Sequence, residues 1–298
     1  MTGKSLCAAP VAFVAVAIIT LAPGTIPASV PPTSYHITSF HVPGSVGTSG
    51  AAIDNGGDDV GQYTVLVHDS TVDFAYERLA DGRLLKINDP NSYRGTGDAG
   101  GINNTGTITG NYYIGAGIYS GFLYKGGVFT DYQVAGNSTG IAGVNDNGDF
   151  VGSYFLNPSY YGFVNSGGQL TVINCPDALE PEPAAINNAG FITGSCKNRS
   201  GIWRGFVMNS KGAIVAELSY PGASWTIPSG INNRNVVVGY ATADRDYGFV
   251  FQNNKFTRFN IAGSRLTAAL GINDLGQITG TYEDQLGHSN AFIATPNN

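Results

Sequence analysis

Six segments of this 298-residue chain align with one another without a gap: AIDNGGDDVGQY, GINNTGTITGNY, GVNDNGDFVGSY, AINNAGFITGSC, GINNRNVVVGYA and GINDLGQITGTY. Their apolar anchors, Ile53, Ile102, Val144, Ile186, Ile231 and Ile272, are 49, 42, 42, 45 and 41 residues apart. A unit of this length cannot bury its apolar face alone, so successive units must stack on one another. Each unit carries a second mark downstream: Ala75-Tyr76 in the first, then Gly121-Phe122, Gly162-Phe163, Gly205-Phe206, Gly248-Phe249 and Ala291-Phe292. A turn such as KGG, SGG, SKG or QNN follows in the later units, then another alternating run (LLKIND, FTDYQV, LTVINC, IVAELS, FTRFNI).

One unit therefore reads as four short strands, A to D. Strand A ends at the Ile-Asn, B holds the Ile-x-Gly-x-Tyr, C begins at the Gly-Phe and D is the last run. The Asn and Gly residues between A and B suit a tight reversal, because both tolerate positive φ and Asn bonds its own backbone. The recurring strand-B glycines (Gly61, Gly110, Gly152, Gly194, Gly239, Gly280) leave room for a neighbouring aromatic ring or backbone. Four strands in about 40–45 residues is the spacing of a β-propeller blade.

The strand count settles how the array ends. The last unit has A, B and C and then stops, while YHITSFHVPG (35–44) at the other end matches the D runs KFTRFNIAG and VFTDYQVAG. A solenoid would leave both edges open. A ring uses the N-terminal strand to complete the final blade. The expectation is an all-β, six-bladed propeller of four-stranded blades over residues 35–298, closed by its N-terminal strand. Composition agrees: charged residues make up 12%, with 42 Gly, 16 Tyr and 15 Phe, as many turns joining aromatic strands require. A net charge of −6 argues against nucleic acid as partner, and no Lys/Arg cluster suggests an anionic membrane surface.

The repeat resembles a bacterial extracellular family called HAF, whose unit runs roughly G-I-N-x-x-G-x-I-x-G-x-Y…H-A-F, over about residues 35–295. Asn290-Ala291-Phe292 comes nearest to the closing triplet, and no unit has His in that slot. The resemblance implies secretion and a propeller-like repeat, and it implies no catalytic residues. The N-terminus is consistent with this. Lys4, the apolar run from Ala8 to Ala22 and Pro27-Ala28-Ser29 read as a cleaved secretory signal over residues 1–28, followed by a linker over 29–34. The mature chain is then extracellular, periplasmic or on the cell surface, and not membrane-embedded. Two cysteines remain in it, Cys175 and Cys196, and an even count in an exported chain favours a disulfide.

Chemistry is expected on the face of the B–C and D–A loops, which are irregular, whereas the A–B and C–D turns are short and alike. Tyr119, Tyr160, Tyr161, Trp203, Trp225 and Tyr247 fall in those loops, with Arg94, Arg204 and Arg245 near them. Aromatic faces with polar rims suit a sugar, although blade packing alone would also use such residues. His68 with Asp69, and His288 with Glu283 and Asp284, fall in the B–C loops of the first and sixth units, which ring closure makes neighbours. His68, His288 and Asp284 are thus the candidates for acid/base work or metal ligation, though their spacing matches no ligand motif. NDNGDF (145–150) has calcium-like alternation but lacks the downstream Glu, and it occupies the same turn as INNAGF. No G-x-S-x-G, C-x-x-C or H-E-x-x-H is present, and no cofactor or metal is expected. The favoured function is non-enzymatic binding of an extracellular ligand, with glycan the expected class, through Tyr119, Tyr160, Trp203, Arg204, Trp225, Arg245 and Tyr247. The alternatives are a polysaccharide lyase or glycoside hydrolase working at the channel mouth, and a structural extracellular protein.

Overall fold

A computed structural model describes residues 34–176 and 178–297. The expected signal peptide therefore lies outside the described residues, as does almost all of the linker. The first repeat forms β2 (Gly47–Ile53), β3 (Asp59–Val67), β4 (Ser70–Arg78) and β5 (Leu84–Ile87). The second forms β6 (Gly97–Ile102), β7 (Ile108–Gly115), β8 (Ile118–Lys125) and β9 (Val128–Tyr132). The third gives β10 (Thr139–Val144), β11 (Phe150–Leu156), β12 (Ser159–Ser166) and β13 (Gln169–Val172), and the fourth β14 (Ala178–Ile186), β15 (Ile192–Asn198), β16 (Trp203–Met208) and β17 (Ile214–Leu218). The fifth supplies β18 (Trp225–Ile231), β19 (Val237–Thr242), β20 (Asp246–Gln252) and β21 (Lys255–Phe259), and the sixth β22 (Leu266–Ile272), β23 (Ile278–Glu283) and β24 (Ser289–Pro296).

Repeats two to five are separate four-stranded sheets, each an antiparallel meander in chain order. The N-terminal strand β1 (Tyr35–Phe40) pairs antiparallel with β24, from Tyr35 opposite Pro296 to Phe40 opposite Ala291. It thus completes the sixth repeat, as the strand count expects. One parallel bridge, Gly47 to Ser289, joins that set to the first repeat, so the two together register as an eight-stranded sheet.

The strand positions follow from side-chain period. The downstream mark of each repeat buries one ring in strand C: Tyr76, Phe122, Phe163, Phe206, Phe249 and Phe292 are all at most 2% exposed. Strand A carries a bulge at the same place in every repeat, between Gly50 and Ala52 and at its five counterparts. The strand-B glycine sits against that bulge. A Cβ on Gly61 would lie 2.0 Å from Ser49 O, and one on Gly280 2.0 Å from Ala268 O. Any side chain there would push the two strands apart.

The reversals between A and B do more than turn the chain. In the second repeat Asn103 Oδ1 accepts the N–H of Thr105 and of Thr107, while Gly106 takes φ +74. The first Asn of the pair also reaches into the next repeat. Asn103 Nδ2 donates to Asn145 O, Asn145 to Asn187 O, Asn187 to Asn232 O, Asn232 to Asn273 O, and Asn273 to Asp54 O. Asp54 has no amide to send onward, so this inner series stops there. The second residue of each pair forms an unbroken outer series: the N–H of Asn55, Asn104, Asp146, Asn188, Asn233 and Asp274 each bonds the Oδ1 of the next, and the last returns to Asn55. Chain reversal accounts for only part of the Asn-Asn pair: both positions also tie neighbouring repeats, the second without a break.

Candidate functional site

The two ends of the strands can now be compared. At the Asn-turn end, a cavity of about 70 Å³ is lined by the Ile/Val anchors and the Asn or Asp pairs of all six repeats. A second, also about 70 Å³, lies between small and apolar strand-A residues such as Gly101, Gly143, Ala185 and Gly230. Neither takes a histidine into its lining. Burial raises the Asp146 carboxyl, but hydrogen bonds from the side chains of Asn188 and Asn104 and from the Asn104 N–H outweigh it and hold Asp146 below the usual range. The carboxylates of this end are thus committed to the turns.

At the other end, the register places the proposed aromatic residues at the tips of separate hairpins. Tyr119 faces Tyr113 across β7–β8 and its ring lies 5.3 Å from that of Tyr113, which in turn meets Tyr93 at 5.7 Å. Tyr160 meets Phe155 at 5.0 Å, and Tyr161 stacks on Tyr154 at 5.5 Å. Trp203 lies under the Lys197 ammonium at 5.5 Å, Lys197 pairs with Glu180, and Arg204 donates to Ser219 Oγ. Tyr247 is covered by Arg258 at 3.6 Å and by Arg245 at 5.2 Å, and its hydroxyl donates to Asp244. Tyr119, Tyr160 and Trp225 are 46%, 50% and 44% exposed. The face is shared, but these residues belong to four successive repeats and do not converge on one point.

A cleft of about 390 Å³ does converge, where the sixth repeat meets the first. It is lined by His41, Ser45, Val46 and Gly47, between β1 and β2, and by His288, Ser289 and Asn290 at the start of β24. His288 is there, as the sequence suggested, but its companion is His41. His68 and Asp69 occupy the left-handed positions (φ 46 and 62) of the β3–β4 turn and take no part in the lining. His41 reads from sequence as a strand residue. It lies one residue beyond β1, exposed, and the pairing of β1 with β24 brings it beside His288.

Asp284 Oδ1 accepts the N–H of Leu286 and of His288, and Oδ2 lies 3.1 Å from His288 Nδ1. The backbone N–H of His288 is the largest of the influences that hold the Asp284 carboxyl below its usual range, and the imidazole adds to it. The same hairpin geometry is built by Asn198 with Ser200 and Ile202, so Asp284 is first a turn residue. Among the described residues no group of three or more His, Cys, Asp or Glu side chains is placed to hold a metal.

Cys175 follows β13 and Cys196 lies in β15, and the two form a disulfide across the third and fourth repeats with Cα atoms 6.3 Å apart. No helix among the described residues is long and apolar enough to cross a membrane.

No protein-family model and no curated protein matches the sequence. Solved structures do match the fold. A mutant of the Aleuria aurantia lectin in complex with Fucα1-6GlcNAc is 12% identical over 83% of this chain and 91% of the lectin, with a TM-score of 0.52. A mutant of AofleA from Arthrobotrys oligospora is 12% identical, covering 88% of this chain and 87% of that one, at 0.53. The Aleuria lectin with α-methyl-L-fucoside gives 13% identity at 0.51. At such identity the likeness is one of fold. The chain is an all-β propeller with four-stranded blades, and the Aleuria aurantia lectin is among its structural neighbours.

Proposed function

We propose that this chain is a secreted, six-bladed propeller of the HAF-repeat type that binds an extracellular glycan through its B–C/D–A face. The six-blade reading rests on the outer series of turn bonds, which returns to its start after six repeats, and on β1 beside β24. The eight-stranded sheet then counts as two blades joined at one bridge.

The cleft between the sixth and first repeats carries the binding reading. Hydroxyl, carboxamide and imidazole groups from two loops line about 390 Å³, the size of a small-ligand site, on a face that also exposes aromatic rings. A sugar needs both kinds of surface: donors and acceptors for its hydroxyls, and a flat apolar group for its C–H face. The neighbouring folds include a lectin in complex with fucosides, in keeping with such a role.

A glycan array probed with the purified protein tests the reading, followed by calorimetry on each hit. Asn290→Ala in the cleft and Trp225→Ala, on the same face in the fifth repeat, are each expected to weaken binding about fivefold, roughly 1 kcal/mol, with melting nearly unchanged. An array without a hit would favour the structural reading instead. The Asp284–His288 pair at the cleft supports a second reading, a polysaccharide lyase or hydrolase. New reducing ends or unsaturated uronates that vanish in His288→Gln would decide for it.

A further inference from the structure

One slot recurs at every junction between repeats, two residues beyond the strand-D residue that faces the small residue of strand C. It holds Val42, Val134, Tyr220 and Ile261 at four junctions and Cys175 at a fifth. At the four, the backbone N–H of the slot donates to a threonine at or next to the start of the following strand A: Thr48, Thr139, Thr226 and Thr267. The junction of the third and fourth repeats departs from this pattern because Cys175 is bonded to Cys196. The junction of the first and second departs from it too. There the slot is Asp89, and the threonine position is Gly97.

Asp89 is 5% exposed, and its Oδ2 is fully enclosed without any hydrogen-bond partner. Its Oδ1 accepts the Asn91 N–H at 2.7 Å. The side chain of the same Asn91 donates to Asp131 Oδ2, so one residue orients both carboxylates. Tyr112, in the position that Cys196 takes at the disulfide junction, lies close to both, and its phenol is pushed up to about 12, chiefly by burial and then by its neighbours Asp131 and Asp89. Burial likewise raises the Asp89 carboxyl, and the nearby Asp131 adds to that. Among the described residues neither carboxylate is in an ion pair. A buried carboxylate oxygen with no partner is costly. Protonation would remove the charge but not the whole cost, because an O–H at Oδ2 would have no acceptor.

We propose that Asp89 and Asp131 hold a hard divalent cation of the Ca²⁺ type at the junction of the first and second repeats. Ca²⁺ takes oxygen ligands, and two carboxylates with water in the remaining positions make a weak, extracellular-type site. Asp131 is exposed and faces the approach from solvent, while Asp89 lies inside. The ion does at this junction what the disulfide does two junctions further on: it fastens neighbouring repeats where the apolar slot and its threonine are missing.

The test uses the full chain stripped with EGTA, with Ca²⁺ and Tb³⁺ as probes. Ca²⁺ is expected to raise the melting temperature and to bind with a Kd of about 0.1–1 mM, in the range of extracellular modules. Tb³⁺ emission excited through tyrosine is expected to appear, given the nearness of Tyr112, and to be displaced by Ca²⁺. Asp89→Asn and Asp131→Asn should each weaken Ca²⁺ binding roughly tenfold or more. Asp89→Val, which restores the residue of the Val42 and Val134 slots, should fold and melt independently of Ca²⁺, and it keeps the test valid if Asp89→Asn folds poorly. No heat and no melting shift with millimolar Ca²⁺ or Mg²⁺ would overturn the proposal, leaving a buried water as the partner of Asp89. A shift that survives both Asp89 variants would overturn it equally.

Discussion

At the Asn-turn end, six reversals repeat one set of bonds, interrupted at Asp54, and the side chains serve both their own turn and the next. At the opposite end the backbone turns recur but the side chains they present differ: one repeat presents Tyr119 on Tyr113, another Trp203 under Lys197, another Tyr247 under Arg258. The same strands join both ends. What differs is whether a side chain is needed by the neighbouring repeat. Where it is, substitution breaks the series; where it is not, the loop is free to take on a ligand.

The largest effect expected from this contrast comes from removing β1, residues 35–40. Each repeat buries its faces against two neighbours, so opening the ring exposes both sides of one junction. The cooperative melting transition is expected to disappear altogether. A shortened chain that melts like the parent would break the ring reading and leave the two ends of the molecule equivalent.

Next comes a pH effect that belongs to the regular end. Asp59 stands in the slot of Ile108, Phe150, Ile192, Val237 and Ile278, fully buried where the first repeat meets the sixth. Tyr76 donates to its Oδ1, and Oδ2 is bonded with the Thr279 hydroxyl. Thr279 also has Phe292 O within reach at 3.0 Å, the bond that Thr193 makes to Phe206 O in the fourth repeat. One hydroxyl proton cannot serve both acceptors, and a proton on Asp59 resolves the shortage. Burial, opposed in part by these bonds and by Arg78, raises the carboxyl to about 7. The folded protein then keeps a proton that the unfolded chain releases near pH 4. Stability is full below about pH 4, falls as pH rises through about 7, and levels off beyond, a loss on the order of 4 kcal/mol. Asp59→Asn supplies the same hydrogens permanently and should flatten this part of the profile in urea titrations at pH 5 to about 8. An unchanged profile would assign the pH dependence elsewhere.

A paired substitution compares the two ends directly. Asn187 is 3% exposed, accepts from Ala189 and Phe191, and donates to Asn232 O and Asn235 Oδ1. Asn187→Ala strands several buried groups and should cost about 3 kcal/mol in urea unfolding. Trp225→Ala, at the open end, should cost less than about 0.5 kcal/mol. Equal losses would erase the distinction.

The smallest effect is a gain. Asp54 interrupts the inner series because a carboxylate cannot donate to Asn103 O, and burial pushes its carboxyl up. Asp54→Asn retains the acceptor for the Asp58 N–H and adds the missing donor. A stabilisation of about 1 kcal/mol is expected. A loss would mean that the interruption at the first repeat is needed.

The architecture was legible because it is written six times over: anchor, Asn turn, strand-B glycine and Gly-Phe recur, and the D run at 35–44 stood out by its match to the others. The disulfide was legible from a count of two. The tie made by the second asparagine was hidden, since a turn residue and a bond to a residue 42 positions away look the same in sequence. Asp59 and Asp89 were visible in principle as acids in columns that are otherwise apolar, or apolar and cysteine, but that signal appears only when repeats are compared slot by slot. His41 beside His288 was not legible, because their nearness depends on how the two termini of the ring meet.

The pairing of β1 with β24 also has a meaning in time. The sheets of the first five repeats are complete as soon as their own four strands are present. The sixth needs the first strand of the domain and the last. β1 must therefore wait, as an extended and unpaired segment, until some 250 residues have followed it. Until then the array is an open arc with two bare edges, one at each end, able to pair with another chain. Pairing β1 with β24 removes both edges at once.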